Sequence, residues 1–264
     1  MSVHGDGPPL LLIPGLGATR LVFDPIVPAL VQRQQRVIVF DPRGTGESEP
    51  GAQPISLPLL AMDAVAVLDA TDVPSTAVLG ASMGGAVAQH LALDHAARVE
   101  CLLLAATAPT GGRAVPADPR ATDALLGKGA RTPADAYRRA CTVLYSPQFQ
   151  RTHQDFIEEQ VRLRAARPVR AQVFAAQLKA LNTRDDSFDR LAAIAEPTLI
   201  MHGTADAVTP FENAQLLAGR IPGARTRWFE GCGHLFFHER PEESARVVFE
   251  FLRDHRPVHQ RAAS

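Results

Sequence analysis

The stretch Ser75-Thr76-Ala77-Val78-Leu79-Gly80-Ala81-Ser82-Met83-Gly84-Gly85-Ala86 reads as a short buried strand, a turn of small residues and the start of a helix. Gly80 to Gly84 matches G-x-S-x-G, a strained strand-to-helix elbow that pushes a serine hydroxyl clear of a sheet. The small residues have a steric reason: Ser82 needs an uncommon backbone conformation, and Gly80 and Gly84 let strand and helix approach closely beneath it. Taken alone the pentapeptide is equally an ordinary Gly/Ala/Ser loop. The flanking chain has to decide.

Upstream, Pro8 to Ile13 is a continuous apolar run ending in Pro14-Gly15-Leu16-Gly17, the pattern of a buried parallel strand and a glycine-rich turn. Arg20 to Gln32 has helical spacing. Arg36 to Phe40 is a β-branched strand that stops at the turn formers Asp41-Pro42-Arg43-Gly44-Thr45-Gly46-Glu47-Ser48, and Leu57 to Ala70 returns to helical spacing. Downstream of the elbow, the helix Gly85 to Leu93 leads to a strand at Val99 to Leu104. The order β-α-β-α-β-α-β predicts an α/β fold: a mostly parallel, doubly wound sheet with helices on both faces.

From Arg113 to Arg190 the chain turns polar, arginine-rich and helical, with no strand candidate. Thr132-Pro133-Ala134-Asp135 is a helix start, and Ser146-Pro147 and Arg167-Pro168 punctuate two further helices. Val143, Leu144, Phe156, Ile157, Val161, Val173, Phe174 and Leu178 supply apolar faces, so an all-helical insertion is more economical than a disordered loop. The sheet pattern resumes at Pro197 to Met201 and is followed by His202-Gly203-Thr204-Ala205-Asp206. A helix over Glu212 to Arg220, a strand over Arg225 to Phe229, the turn Glu230-Gly231-Cys232-Gly233-His234 and a helix over Pro241 to Arg253 complete the pattern. The expected division is a core of residues 1–112 and 191–264 with a helical cap over 113–190, and a loosely held tail over His255 to Ser264.

With 264 residues, 46% of them hydrophobic, the chain can bury a full core. A net charge of -1 leaves no basic footprint for nucleic acid or an anionic membrane. Cys101, Cys141 and Cys232 are too few and too scattered for a disulfide framework or a zinc site, which fits a reducing cytoplasm. The run Leu10 to Ile13 is too short for a signal segment, and no apolar run reaches the ~20 residues of a membrane span. The expected partner is therefore a small-molecule substrate.

A serine hydroxyl needs a base within hydrogen-bond reach and a third group to fix that base. Ser82, Asp206 after one strand and His234 after the next stand in the Ser, Asp, His order, and in a parallel sheet all three strand ends lie on one edge. His202 also lies at a strand end but precedes Gly203 in the loop presenting Asp206, and is read as structural. The backbone N–H groups of Met83 and Leu16 are the candidate oxyanion donors. Phe211, Leu235, Phe236 and Phe237 are candidates for the acyl pocket, although phenylalanines at such spacing also serve as core.

Over nearly its whole length the chain resembles the α/β-hydrolase superfamily. The match rests on Pro14-Gly15-Leu16-Gly17 in place of the His-Gly-x-Gly oxyanion loop, Asp41-x-Arg43-Gly44-x-Gly46-x-Ser48, Gly80-x-Ser82-Met83-Gly84-Gly85, Gly203-x-x-Asp206 and Gly233-His234. Met83-Gly84-Gly85 and the helical insertion are most like the small capped esterases, enol-lactonases and cofactor-free haloperoxidase-like enzymes. The resemblance implies an ester or lactone hydrolase without metal or cofactor, with Asp41 and Arg43 in a structural loop. A thioesterase, perhydrolase or carbon-carbon bond hydrolase with the same residues, or a non-catalytic ligand-binding protein on this fold, remains open.

The sequence departs from the family in two places. Pro14 stands where the family has histidine, and the chain begins almost at the family's third strand. The first antiparallel strands are thus expected to be absent or much shortened, leaving a sheet edge exposed or covered in a homodimer.

Overall fold

The structure, a computed structural model, describes residues 1–110, 112–183 and 187–256. Through the first half the chain runs β1 (Ser2–His4), β2 (Pro9–Ile13), α1 (Val27–Gln32), β3 (Arg36–Val39), α2 (Leu57–Ala70), β4 (Thr76–Ala81), α3 (Met83–Asp94) and β5 (Val99–Ala105). Five helices follow: α4 (Pro119–Leu125), α5 (Pro133–Leu144), α6 (Pro147–Thr152), α7 (Gln154–Ala166) and α8 (Ala171–Leu181). After α9 (Ser187–Arg190), the sheet resumes with β6 (Thr198–Gly203), α10 (Glu212–Arg220), β7 (Arg225–Phe229), α11 (Phe236–Glu239) and α12 (Pro241–His255).

The strands form one sheet in the order β1-β3-β2-β4-β5-β6-β7, parallel throughout except for β1, which runs antiparallel to β3. The expected doubly wound α/β architecture is the one observed. The edge carries a single antiparallel strand of three residues, Ser2 to His4, paired with Val37 to Val39. Arg20 to Gln32, by contrast, is not one helix. It divides into a 3-10 turn over Arg20–Phe23 and α1. Pro25 accounts for the break, since it has no backbone N–H to donate to a continuous helix, while Asp24 itself keeps helical dihedrals (φ −51°, ψ −37°).

Alternation along the strands divides the core. Leu10, Leu12, Val37, Val39, Leu79 and Leu103 face the layer built with α1 and α12, while Leu11, Ile13, Ile38, Val78, Leu102 and Leu104 face α2 and α3. The inner strands β2, β3, β4 and β5 are thus buried on both faces, which is why they read as apolar runs, whereas β1 and β7 at the sheet edges are largely exposed. The helical insertion belongs to the first layer: Ala140, Cys141, Leu144, Tyr145, Phe149, Ile157 and Val161 join the same cluster as Val248, Phe251 and Leu252.

Inside the insertion the caps follow the sequence. Thr132 accepts from the Asp135 N–H at 3.0 Å, and Ser146 from the Phe149 N–H at 3.2 Å. The loop after β3 is closed by Asp41, which accepts from Arg20 N–H at 2.8 Å and Glu47 N–H at 3.0 Å, and by the Arg43–Asp63 ion pair. Those contacts give Asp41 and Arg43 the structural role expected of them. The expected loose tail is corrected at its start: His255 ends α12, and Arg256 is buried and donates from Nη1 to Gln35 Oε1 at 2.9 Å, while residues 257–264 lie outside the described residues. Among the described residues no helix is long and apolar enough to cross a membrane.

Candidate active site

Register places the strand ends side by side: Ile13 pairs with Gly80, Ala81 with Ala105, and Gly203 with Phe229. The loops that leave this edge carry Leu16, Ser82, Asp206 and His234. At the elbow the geometry is strained as the small residues require, with Ser82 at φ 56° and ψ −120° between the end of β4 and the first turn of α3. Such a conformation costs on the order of 1–3 kcal/mol and persists only where the surroundings impose it. Here they do. A Cβ on Gly80 would overlap the Gly84 carbonyl, and one on Gly84 the Ile13 carbonyl, so strand and helix touch backbone to backbone. The Ser82 N–H donates to Ala105 O at 2.9 Å, and the Thr107 hydroxyl donates to Ser82 O at 2.7 Å. Met83 is the first residue of α3, where a backbone N–H has no partner within the helix.

Asp206 is buried, and both of its oxygens are occupied. Oδ1 accepts from the Val208 and Thr209 N–H groups, each at 2.8 Å. Oδ2 accepts from His234 Nδ1 at 2.8 Å and lies 3.2 Å from His202 Nε2. Burial by itself would raise the pKa of this carboxyl, but the charge of His234 and the hydrogen bonds from the two rings outweigh it and hold the pKa down at about 2. A neutral ring that donates its Nδ1–H to this carboxylate has its lone pair on Nε2, the form a general base needs. His202 also donates from Nε2 to Thr209 O at 2.8 Å and is fully buried, so it braces Asp206 and its loop together.

Ser82 and His234 line one cavity of ≈ 250 Å³, with Gly15, Leu16 and Gly17 on its wall. The structure thus brings Ser82, His234 and Leu16 to a common space and ties Asp206 to His234. Of the expected pocket residues, Leu235 and Phe237 line this cavity, whereas Phe211 and Phe236 do not. Phe236 turns into the core and stacks on Phe229 with ring centroids 4.3 Å apart. Phe211 packs edge-on against Trp228 at 4.9 Å. Neighbouring residues on the short helix α11 point in different directions, so Phe236 and Phe237 cannot both face the cavity.

Much of the remaining wall comes from the insertion, through Leu125, Tyr137, Leu144, Arg164, Phe174 and Leu178. Three of its contacts hold the loops that carry the candidate residues. Gln177, fully buried on α8, accepts the Gly17 N–H at 2.9 Å, and Arg164 Nη1 donates to Gly17 O at 3.3 Å, so both sides of this residue are held from the insertion. Glu239 joins the insertion to the histidine loop: its carboxylate accepts from Gly233 N–H at 3.0 Å and from the Ser146 N–H and hydroxyl, each at 2.7 Å. None of Arg164, Gln177 and Glu239 stood out in the sequence. A glutamine on the apolar stripe shared by Val173 and Ala180 is the one available signal.

Among curated proteins, the chain is 32% identical to a poly(3-hydroxyalkanoate) depolymerase of Ectopseudomonas oleovorans, covering 97% of this chain and 89% of that one. It is 33% identical to a Variovorax paradoxus protein named "Putative carbamate hydrolase RutD", covering 95% and 94% of the two chains. A solved esterase of Exiguobacterium antarcticum superposes with a TM-score of 0.82 at 26% identity, over 96% of this chain and 94% of that one. The model of the alpha/beta hydrolase fold matches residues 8–241, and with the parallel sheet and the strained serine at its edge the chain belongs to the α/β-hydrolase family.

Proposed function

We propose that the protein is a serine hydrolase that cleaves a carboxylic ester or lactone of a small to medium substrate through an acyl-enzyme. The observation that carries this reading is the 2.8 Å bond between His234 Nδ1 and Asp206, with His234 and Ser82 on the wall of one cavity. His234 Nε2 takes the Ser82 proton as Oγ attacks the carbonyl carbon. The carbonyl oxygen, now an anion, accepts from the N–H groups of Leu16 and Met83, each worth about 3 kcal/mol to the transition state. Collapse expels the alcohol, which receives the proton from His234. Water, deprotonated by the same ring, then releases the acid and restores Ser82. Asp206 stays ionised throughout and stabilises the imidazolium. The helices α4–α8 serve as the cap over this cavity, and the substrate is held against their apolar residues.

Ser82→Ala is the test. Hydrolysis of p-nitrophenyl acetate by the purified variant should fall by about 10⁴-fold or more with the fold intact. Full turnover by the variant, or no labelling of folded wild type by a fluorophosphonate probe, would sink the assignment. A carbamate ester assayed beside the acetate addresses the chemistry in the name of the Variovorax relative, since the same groups would act on either carbonyl.

A further inference from the structure

The insertion handles its arginines in two ways. Arg138 pairs with Glu158, Arg162 with Glu159, Arg139 with Asp135 and Arg167 with Glu47 at the surface. Arg164, on the same helix as Arg162, has no carboxylate partner among the described residues and instead lines the Ser82 cavity. There it is, among the described residues, the one permanent cation on a wall made chiefly of leucine, alanine, valine and phenylalanine side chains. It also lines an adjoining hollow of ≈ 370 Å³, so it stands where the two spaces meet.

A guanidinium beside apolar surface is costly unless an anion faces it. Arg164 is nevertheless held in place, with Nη1 on Gly17 O and its guanidinium carbon 5.1 Å from the centre of the Tyr137 ring. These contacts use one of the five N–H donors and one face of the group, leaving a fork of donors that matches a carboxylate. The Tyr137 hydroxyl is buried near that of Tyr145, which is itself engaged with His238, and it makes no hydrogen bond of good geometry.

Resting on the ester-hydrolase reading above, we infer that Arg164 binds a carboxylate of the substrate, remote from the carbonyl that Ser82 attacks. The preferred substrate is then an acid-bearing ester or lactone, such as a half-ester of a dicarboxylic acid. Hydrolysis of the half-ester consumes one water, releases the alcohol and a proton, and leaves a dicarboxylate, one end at Ser82 and the other on the guanidinium. A fork of charge-assisted hydrogen bonds gives discrimination of about 10- to 100-fold against a neutral analogue of the same length.

The experiment compares kcat/KM for monomethyl and dimethyl esters of linear dicarboxylic acids, succinate to suberate, in wild type, Arg164→Gln and Arg164→Lys. The readout is the ratio of half-ester to diester within each protein, which any general loss through the Gly17 contact leaves untouched. Wild type should favour the half-ester at its best length, Arg164→Gln should lose that preference, and Arg164→Lys should keep part of it. No preference in wild type, or one that survives in Arg164→Gln, overturns the inference. Calorimetry of the free dicarboxylates against Ser82→Ala, with and without Arg164→Gln, gives a readout independent of turnover. If folded wild type cleaves no ester, the esterase reading fails. Dicarboxylate binding lost with Arg164→Gln would then still support the carboxylate site, and binding unchanged by it would overturn that site.

Discussion

The sheet edge and the helical insertion meet at one cavity but are built by different rules. At the edge, β2, β4, β5 and β6 are buried on both faces, and Ser82, Asp206 and His234 follow directly from strand ends whose register leaves little freedom. The insertion carries an amphipathic face, surface ion pairs that contribute little individually, and polar groups that reach down to the loops of the edge. Gln177 and Arg164 hold Gly17, and Glu239 holds Gly233 to Ser146. The difference teaches that the candidate reactive groups sit where the backbone is most constrained, while the helices above them supply the contacts that, on the proposed function, align the loops and select the substrate.

That division can be broken at three points. The largest effect is expected at the edge. Gly84→Val would drive a branched side chain into the Ile13 carbonyl, costing about 3 kcal/mol or more, so thermal unfolding should show a strongly lowered midpoint or no folded protein. A variant with the wild-type midpoint would mean that the close strand-helix contact does not hold the elbow.

The next probe is the joint between the two regions. His238 donates from Nε2 to Val22 O at 2.6 Å and takes the Tyr145 hydroxyl on Nδ1 at 2.9 Å, linking the core to α5 and the turn after it. Burial, with the nearby Arg164 charge adding to it, lowers its pKa from 6.5 to about 4 in spite of the Val22 bond. An unfolded chain therefore binds this proton near pH 6.5, and the fold only near 4. Stability is full above 6.5 and is lost as pH falls toward 4, by about 3 kcal/mol in all. Chemical denaturation from pH 7.5 to 4.5 should show that decline, and His238→Gln should flatten it. An identical pH dependence in the variant would remove His238 as the cause. Below about 4, Asp206 adds a further loss as its carboxylate takes a proton near 2.

The smallest effect should come from α8. Gln177→Leu keeps the volume but leaves the Gly17 N–H unpaired, which loosens the loop carrying Leu16. We expect kcat to fall about tenfold for half-ester and diester alike, with the melting temperature nearly unchanged. A loss confined to one of the two esters would place Gln177 with Arg164 in substrate selection instead.

The parallel sheet was legible because doubly buried strands must be apolar along their length, and β2, β4 and β5 announce themselves in that way. The elbow was legible because its steric demand admits few residues. Helix starts at Thr132 and Ser146 could be read from local hydrogen-bond chemistry, since the capping side chain lies three residues from its partner. The Arg20 to Gln32 segment was misread because helical spacing was weighed above Pro25. Phe236 turns away from the cavity because nearness to His234 in sequence does not fix which way a side chain points on a short helix, and Phe211, ahead of α10, packs on Trp228, a partner that only the fold brings near.

By itself, then, the sequence determined the order of strands and helices, the strained serine and the Ser, Asp, His sequence of candidate reactive groups, because each depends on neighbours a few residues away or on burial that forces composition. Only the tertiary structure decided that Gln177 meets Gly17 across 160 residues, that Glu239 joins Gly233 to Ser146, and that Arg164 faces the cavity while Arg162 pairs at the surface. Those contacts depend on how the insertion docks on the sheet edge, and a polar side chain carries no local mark of the partner it meets across that interface.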